Sequence, residues 1–158
     1  KDVKTTAWYF DPMIHLYESG IINGTSATTY APNDTLTWAA ALKLLLVSHG
    51  DLKAADATGA DWSKNAIAKA AELGLVAADL DGAKAISRLE FCQVAAKLNK
   101  LAESKTESKF TDCTDGYVMA LVDAKVISGM TETTFEPAAS LTRAQIAKIL
   151  YQLTLIEK

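Results

Sequence analysis

The chain has 158 residues, of which 49% are apolar, 8% aromatic and 22% charged, with a formal net charge of −3. A mildly acidic balance argues against nucleic acid, which calls for a clustered basic face, and the longest apolar runs, such as Leu44 to Val47, are far too short to span a bilayer. A chain of this length buries roughly two thirds of its unfolded surface, so no metal or disulfide staple is required, and apolar content dominated by alanine with few aromatics predicts an all-α fold of closely packed helices.

Read from the N-terminus, the sequence repeats one helix-loop-helix unit three times in a single array, at about 5–50, 56–103 and 108–158. In the first unit Trp8 is followed twelve residues later by Gly20, then by Ile21-Ile22-Asn23-Gly24, Tyr30-Ala31-Pro32 and Leu36-Thr37. The second unit spaces Trp62 and Gly74 the same way and, after a loop four residues shorter, reads Ile86-Ser87-Arg88-Leu89-Glu90. The third has Val126-Ile127-Ser128-Gly129, Phe135-Glu136-Pro137 and Leu141-Thr142-Arg143-Ala144-Gln145.

The first helix of each unit is read from Trp8, from Trp62 and from near Cys113, where the third unit has no Trp. Its apolar register aligns Met13, Leu16 and Tyr17 with Ile67, Ala70 and Ala71, and with Val118, Leu121 and Val122. Pro12 falls in a first turn, where its missing N–H costs little, and Asp11 before it is a candidate cap. Gly20 and Gly74 supply left-handed C-caps, whereas Lys125 in the third unit implies strain or a different loop. The connecting segments 24–34 and 129–140 read as turn-rich loops ending in an extended aromatic-x-Pro step, with room for short strand-like pairing. Residues 100–109 read as a linker between the second and third units.

The second helices start at Thr37, Ser87 and Thr142. Ser87 with Glu90, and Thr142 with Gln145, have capping-box spacing, in which the hydroxyl takes the N3 N–H and the N3 side chain reaches back to the cap. Counted from the cap, positions +4, +7, +8 and +11 form one stripe: Ala41, Leu44, Leu45 and Ser48; Phe91, Val94, Ala95 and Leu98; Ile146, Ile149, Leu150 and Leu153. These three helices are expected to face a common core.

Such a helix start presents unsatisfied N–H groups and about half a positive charge, and an arginine at the first helical position adds a planar fork suited to a carboxylate; Arg88 and Arg143 would each supply such a site, Arg143 facing outward. The same arginines could instead form surface salt bridges. Trp8 and Trp62 offer flat faces for sugar rings or cover the ends of the bundle, and Gly24 and Gly129 would let a ligand approach the backbone. Cys92 and Cys113 lack metal-ligand spacing and read as unpaired, partly buried thiols, although spacing alone leaves a disulfide open. His15 and His49 are solitary and read as surface or helix-end residues.

The ordered set of a first-helix aromatic, a G-I-I-x-G type loop, an aromatic-x-Pro step and an L-T-R-A-Q helix start resembles the S-layer homology (SLH) repeat, over nearly the whole chain. The resemblance implies a pseudo-threefold all-α unit with the second helices at its centre. It also implies grooves between repeats that bind an anionic, typically pyruvylated, secondary cell-wall polysaccharide attached to peptidoglycan. That would make the protein a non-catalytic anchor at the bacterial cell surface, without membrane insertion, metal or cofactor, and with self-association in a surface layer or protein binding as the alternative role. The ligand-binding set is then Arg88, Arg143, Trp8, Trp62, Gly24 and Gly129, and the double substitution Arg88→Ala with Arg143→Ala is expected to abolish wall binding without changing the melt.

This chain departs from the pattern in each unit. Trp38 stands where the first unit would have Arg, Ala78 where the second would have a loop Gly, and Lys125 where the third would have Gly, so at most two working sites are expected. Acidic residues such as Asp11, Glu18, Glu72 and Glu90 occupy ordinary helix-start and surface positions rather than the paired arrangement of a glycan hydrolase, whose carboxylates stand about 5–10 Å apart. The start at Lys1 and the charged end read as the limits of a fragment whose targeting signal lies elsewhere.

Overall fold

Six helices make up the regular structure of the computed structural model, which describes residues 1–156: α1 (Phe10–Glu18), α2 (Trp38–His49), α3 (Trp62–Glu72), α4 (Arg88–Leu98), α5 (Gly116–Asp123) and α6 (Arg143–Thr154). Residues 157 and 158, where the predicted third unit and its charged tail end, lie outside the described residues. Among the described residues there are helices and no strand, so the all-α expectation holds.

The three second helices start as their sequences require. Thr37, Ser87 and Thr142 are extended N-caps whose side chains accept from the N–H of Ala40, Glu90 and Gln145, and the last two complete capping boxes. The predicted core stripe is buried throughout except for Ser48, from Ala41, Leu45, Phe91, Ala95, Ile146 and Leu150 at 1% exposure or less outward. Each large apolar side chain buried in this way stabilises the fold by about 1.5–3 kcal/mol.

The first helices fit the sequence reading less closely. α1 begins at Phe10 with Tyr9 as its cap position, which makes no side-chain hydrogen bond, so Asp11 lies inside the first turn and is not the cap. Tyr17 is 58% exposed, because the core stripe of this short helix needs only Met13 and Leu16. α5 is capped by Asp115, which accepts from the N–H of Tyr117 and Val118.

Packing runs around the molecule in a ring: α2 lies against α3, α4 against α5, and α6 against α1, while α2 and α6 also touch. Every second helix therefore pairs with the first helix of the next unit rather than its own, and the last unit closes onto the first. The small residues Ala66 and Ala70, both fully buried, let α3 come close to α2.

The same cyclic order governs the joints. The first two N–H groups of α2, from Trp38 and Ala39, donate to Lys84 O (2.8 Å) and Gly82 O (3.0 Å). Those of α4, from Arg88 and Leu89, donate to Ala139 O (2.9 Å) and Pro137 O (3.0 Å), and those of α6, from Arg143 and Ala144, to Asp34 O and Pro32 O (both 2.9 Å). The strand-like pairing anticipated in the loops occurs here instead, as isolated antiparallel bridges between units: Thr35 with Thr142, Thr37 with Ala85, and Ser87 with Ser140.

Two aspartates lock the aromatic-x-Pro steps. Asp2 accepts from the N–H of Tyr30 (2.8 Å) and Ala31 (2.6 Å), and Asp112 accepts from Phe135 and Glu136 (both 2.8 Å). Ala31 and Glu136 have positive φ, 54° and 58°, a conformation that side-chain-bearing residues rarely adopt and that the carboxylates hold in place.

After the first helices, Gly20 and Gly74 take φ of 72° and 71°, and Lys125 takes 59° with the same following hydrogen bonds. The third unit thus keeps the loop and accepts the strain, roughly 1–2 kcal/mol for a residue with a Cβ. The linker-like segment 100–109 is not loose: Ser104 donates its N–H to Gly116 O (2.9 Å) and its hydroxyl to Asp123 (2.6 Å). Cys92 and Cys113 are both free, as expected, and both buried, and burial pushes the Cys92 thiol up to about 12. His15 packs edge-on against Tyr151, and His49, the last residue of α2, lies 2.6 Å from Asp51.

The aspartate locks imply an acid sensitivity. Backbone N–H donors hold the Asp2 and Asp112 carboxyls below the ordinary carboxylate value. A group whose folded pKa is depressed stabilises the fold above its unfolded pKa, about 3.9, and loses that contribution as pH falls through the folded value. The melting temperature is expected to drop steadily below about pH 4, and Asp2→Asn with Asp112→Asn to start lower at pH 7 and fall less steeply with acid. An unchanged slope in that double variant would remove the locks from the account.

Candidate functional site

Both helix-start arginines turn inward to the neighbouring unit, which corrects the outward placement expected for Arg143. Arg88 is 3% exposed; its Nε donates to Phe135 O (2.9 Å), its Nη2 to Ser128 O (3.2 Å), and its guanidinium lies 4.5 Å from the centre of the Phe135 ring. Arg143 repeats the arrangement one joint further on: Nε to Tyr30 O and Nη2 to Asn23 O, both 2.7 Å, with the guanidinium 4.6 Å from the Tyr30 ring. The Tyr30 hydroxyl donates back to Arg143 O (3.0 Å), and burial pushes that phenol up to about 12. Each arginine is thus the pin of a joint, resting on the aromatic of the aromatic-x-Pro step.

A second correction concerns the helix N-termini. The N1 and N2 donors go to carbonyls of the next unit and the N3 donor goes to the cap side chain, so the helix starts are consumed by the fold and are not open anion sites. Any charge for a ligand must come from side chains.

Those side chains gather beside the third loop. A groove of about 720 Å³ is lined by Trp8 from the first unit, Arg88 from the second, and Lys109, Lys125, Gly129, Met130, Gln145, Lys148 and Gln152 from the third. Four of its lining residues are cationic and none is acidic, in a chain whose net charge is −3. Trp8 is 58% exposed, with Lys148 Nζ 5.6 Å from its ring centre. Met130, another lining residue, is also exposed and adds apolar surface beside the charges.

The first loop has a corresponding set. Arg143 bonds Asn23 beside Gly24, and Lys43 lies 5.3 Å from the centre of the Trp62 ring. Burial, and then the charge of Arg143, lowers the Lys43 pKa. The six residues singled out from sequence therefore sort into two sets, Arg88, Trp8 and Gly129 in one and Arg143, Trp62 and Gly24 in the other. The second set is not united in one cavity: a groove of about 520 Å³ beside the first loop is lined by Gly24, Phe10, Ile14 and Tyr17 but by neither Arg143 nor Trp62.

Gly24 and Gly129 have a local reason to be glycine. A Cβ on Gly24 would lie 2.5 Å from Thr29 O and 2.6 Å from Ser26 O, and one on Gly129 would meet Phe110 Cε1 at 2.5 Å and Thr134 O at 2.6 Å. Both loops fold back on themselves, with Thr25 N–H bonded to Thr29 O and Met130 N–H to Thr134 O (2.9 Å each).

The sequence reading missed Lys43 and Lys148, although both stand six residues after their caps and the register would have paired them. At the same position the second unit has Gln93, which donates to Asp115 (2.8 Å). With Trp38 for the arginine and Cys113 at the place of the tryptophan, the joint facing the second loop carries none of the three groups.

The family model described as S-layer homology domain matches residues 1–42 and 111–147, half of the chain. The chain belongs to the SLH family. As an SLH domain it is a non-catalytic surface-anchoring module of a cell-surface protein. Over 48% of its length it is 42% identical to the surface-layer 125 kDa protein of Lysinibacillus sphaericus, covering 7% of that protein. Over 96% of its length it is 29% identical to an endoglucanase of Bacillus sp. strain KSM-635 and 27% identical to an amylopullulanase of Thermoanaerobacterium thermosulfurigenes, covering 18% and 9% of them. The chain thus spans less than a fifth of each of these relatives. No helix among the described residues is long and apolar enough to cross a membrane.

Because the arginines are joints, their replacement is expected to act on stability first, which reverses the sequence-based expectation for the double alanine variant. Arg88→Ala leaves two carbonyls of a buried joint without their charged donor and should cost on the order of 3 kcal/mol. Arg88→Lys should recover little of that, since a single ammonium cannot reproduce the fork. Arg143→Ala, at a less buried position, should cost less. Chemical denaturation of the three variants checks the order.

Proposed function

We propose that this SLH domain holds its parent protein on the cell wall by binding an anionic secondary wall polysaccharide, of the pyruvylated type, at two inter-repeat sites. The principal site is the groove beside the third loop, with Trp8, Arg88, Gly129 and Lys148, and the second is the corresponding set Trp62, Arg143, Gly24 and Lys43. The observation that carries this reading is the groove's lining of four cations and no acidic residue beside an exposed tryptophan.

The chemistry follows from those groups. The indole face stacks on the apolar face of a sugar ring while the lysine ammoniums meet the carboxylates that the ring carries. Arg88 spends two of its hydrogen bonds on the joint and contributes mainly a fixed charge at the groove wall. These contacts are partly solvent-exposed, so each is worth little alone and all weaken as salt rises. The local cations outweigh the general repulsion of a net negative chain only at short range.

Cosedimentation with wall sacculi of Lysinibacillus sphaericus, Bacillus sp. strain KSM-635 and Thermoanaerobacterium thermosulfurigenes, before and after chemical removal of the secondary polymer, tests the reading. Binding is expected to at least one intact wall and to be lost on the stripped wall. Lys43→Ala with Lys148→Ala should weaken it about tenfold, near 1.4 kcal/mol, with an unchanged melt. No binding to any intact wall, or equal sedimentation with stripped walls, defeats the polysaccharide reading and leaves a protein partner as the remaining role.

A further inference from the structure

Three loops follow first helices, and in two of them the left-handed position is glycine: Gly20 at φ 72° and Gly74 at φ 71°. In the third the chain holds Lys125 at φ 59°, with the backbone bonds unchanged: Lys125 N–H to Val122 O at 3.0 Å against Gly20 N–H to Tyr17 O at 3.0 Å. Glycine would meet every local demand at that point. Among the described residues Lys125 forms no ion pair and no side-chain hydrogen bond that would account for its presence. Its one distinctive placement is in the wall of the cationic groove, with Arg88 and Lys148.

We infer that Lys125 is a ligand-contacting and specificity-determining cation, kept at a strained backbone position because it adds a charge to the third-loop groove that the first-loop site, with Gly20 at the same place, does not have. The two sites are then unequal. The third-loop groove takes the more highly charged stretch of an anionic polymer and carries the steeper salt dependence, whereas the first-loop site relies on Lys43 and Arg143. Lys100 takes the same conformation after α4, at φ 55°, and lines neither groove, so strain alone does not mark a site; what sets Lys125 apart is its place among the other cations of the groove wall. This inference rests on the anionic-polymer reading of the groove.

The test separates strain from charge with Lys125→Gly, Lys125→Ala and Lys125→Arg, measured by thermal melting and by binding to intact Lysinibacillus sphaericus, Bacillus and Thermoanaerobacterium sacculi across a salt series. Lys125→Gly should melt about 2–4 °C higher and bind roughly threefold to tenfold more weakly at low salt, with a shallower salt dependence. Lys125→Ala, which keeps the strain and loses the charge, should bind as weakly without the gain in melting temperature. Lys125→Arg should bind like the parent chain. Failure of the parent chain to bind any wall overturns the polymer reading itself. Binding by the parent chain together with equal binding by Lys125→Gly overturns only the role of Lys125, as does a binding loss in Lys125→Arg as large as that in Lys125→Gly.

Discussion

Everything in this fold depends on where the first backbone N–H groups of the three second helices go. A helix start leaves donors that must find partners, and a buried one left without a partner costs about 1–3 kcal/mol. Here the cap hydroxyl takes one and the loop of the next unit takes two, at 2.8–3.0 Å in all three joints. No unit can satisfy its own helix start, so the units are obliged to assemble, and the third hands its donors to Asp34 and Pro32 of the first. Ring closure follows from hydrogen-bond accounting as much as from apolar packing. It also makes the loops part of the core structure, which is why their aromatic-x-Pro steps are fixed by Asp2 and Asp112.

Using the helix starts as joints removes them as anion sites. A helix terminus is worth about half a charge, spread over donors that here are already bonded, whereas a lysine brings a whole charge on a flexible stem. The cationic groove is accordingly built from side chains that project past the joint: Lys148 from the helix after its cap, Lys125 and Lys109 from the flanks of α5, and the edge of Arg88. The joint serves them indirectly by fixing the loop that forms one wall of the groove.

Much of this was legible in the sequence. The core stripe of the second helices, the capping boxes at Ser87 and Thr142 and the helical class follow from period and local chemistry, and those hold in the structure. What was not legible is direction. At the first helical position Arg88 could turn to solvent or to a neighbour, and nothing in its own unit decides this, because its partners, Ser128 and Phe135, lie 40 and 47 residues further along the chain. The partner carbonyls are backbone groups and leave no sequence signature. The exposure of Tyr17 has the same origin, since which face of a short helix is covered depends on the helix from the other unit that lies against it.

The joint facing the second loop shows which parts of the design the fold can do without. There the arginine is Trp38, the aromatic of the aromatic-x-Pro step is replaced by Leu80, the lysine by Gln93, and the loop is shortened. Yet Trp38 and Ala39 still donate to Lys84 and Gly82 at 2.8 and 3.0 Å, and Trp38 and Leu80 are partly buried against the core. An apolar pair can therefore stand at a joint where the other two have a guanidinium on an aromatic ring. Burying a guanidinium lowers its pKa and costs solvation that apolar groups do not forfeit. Closure of the ring alone does not call for that cost. The two joints that have it are the two beside which an exposed or half-buried tryptophan and a lysine also stand, so the guanidinium, the indole, the ammonium and the glycine-tight loop occur together at two joints and are absent together from the third.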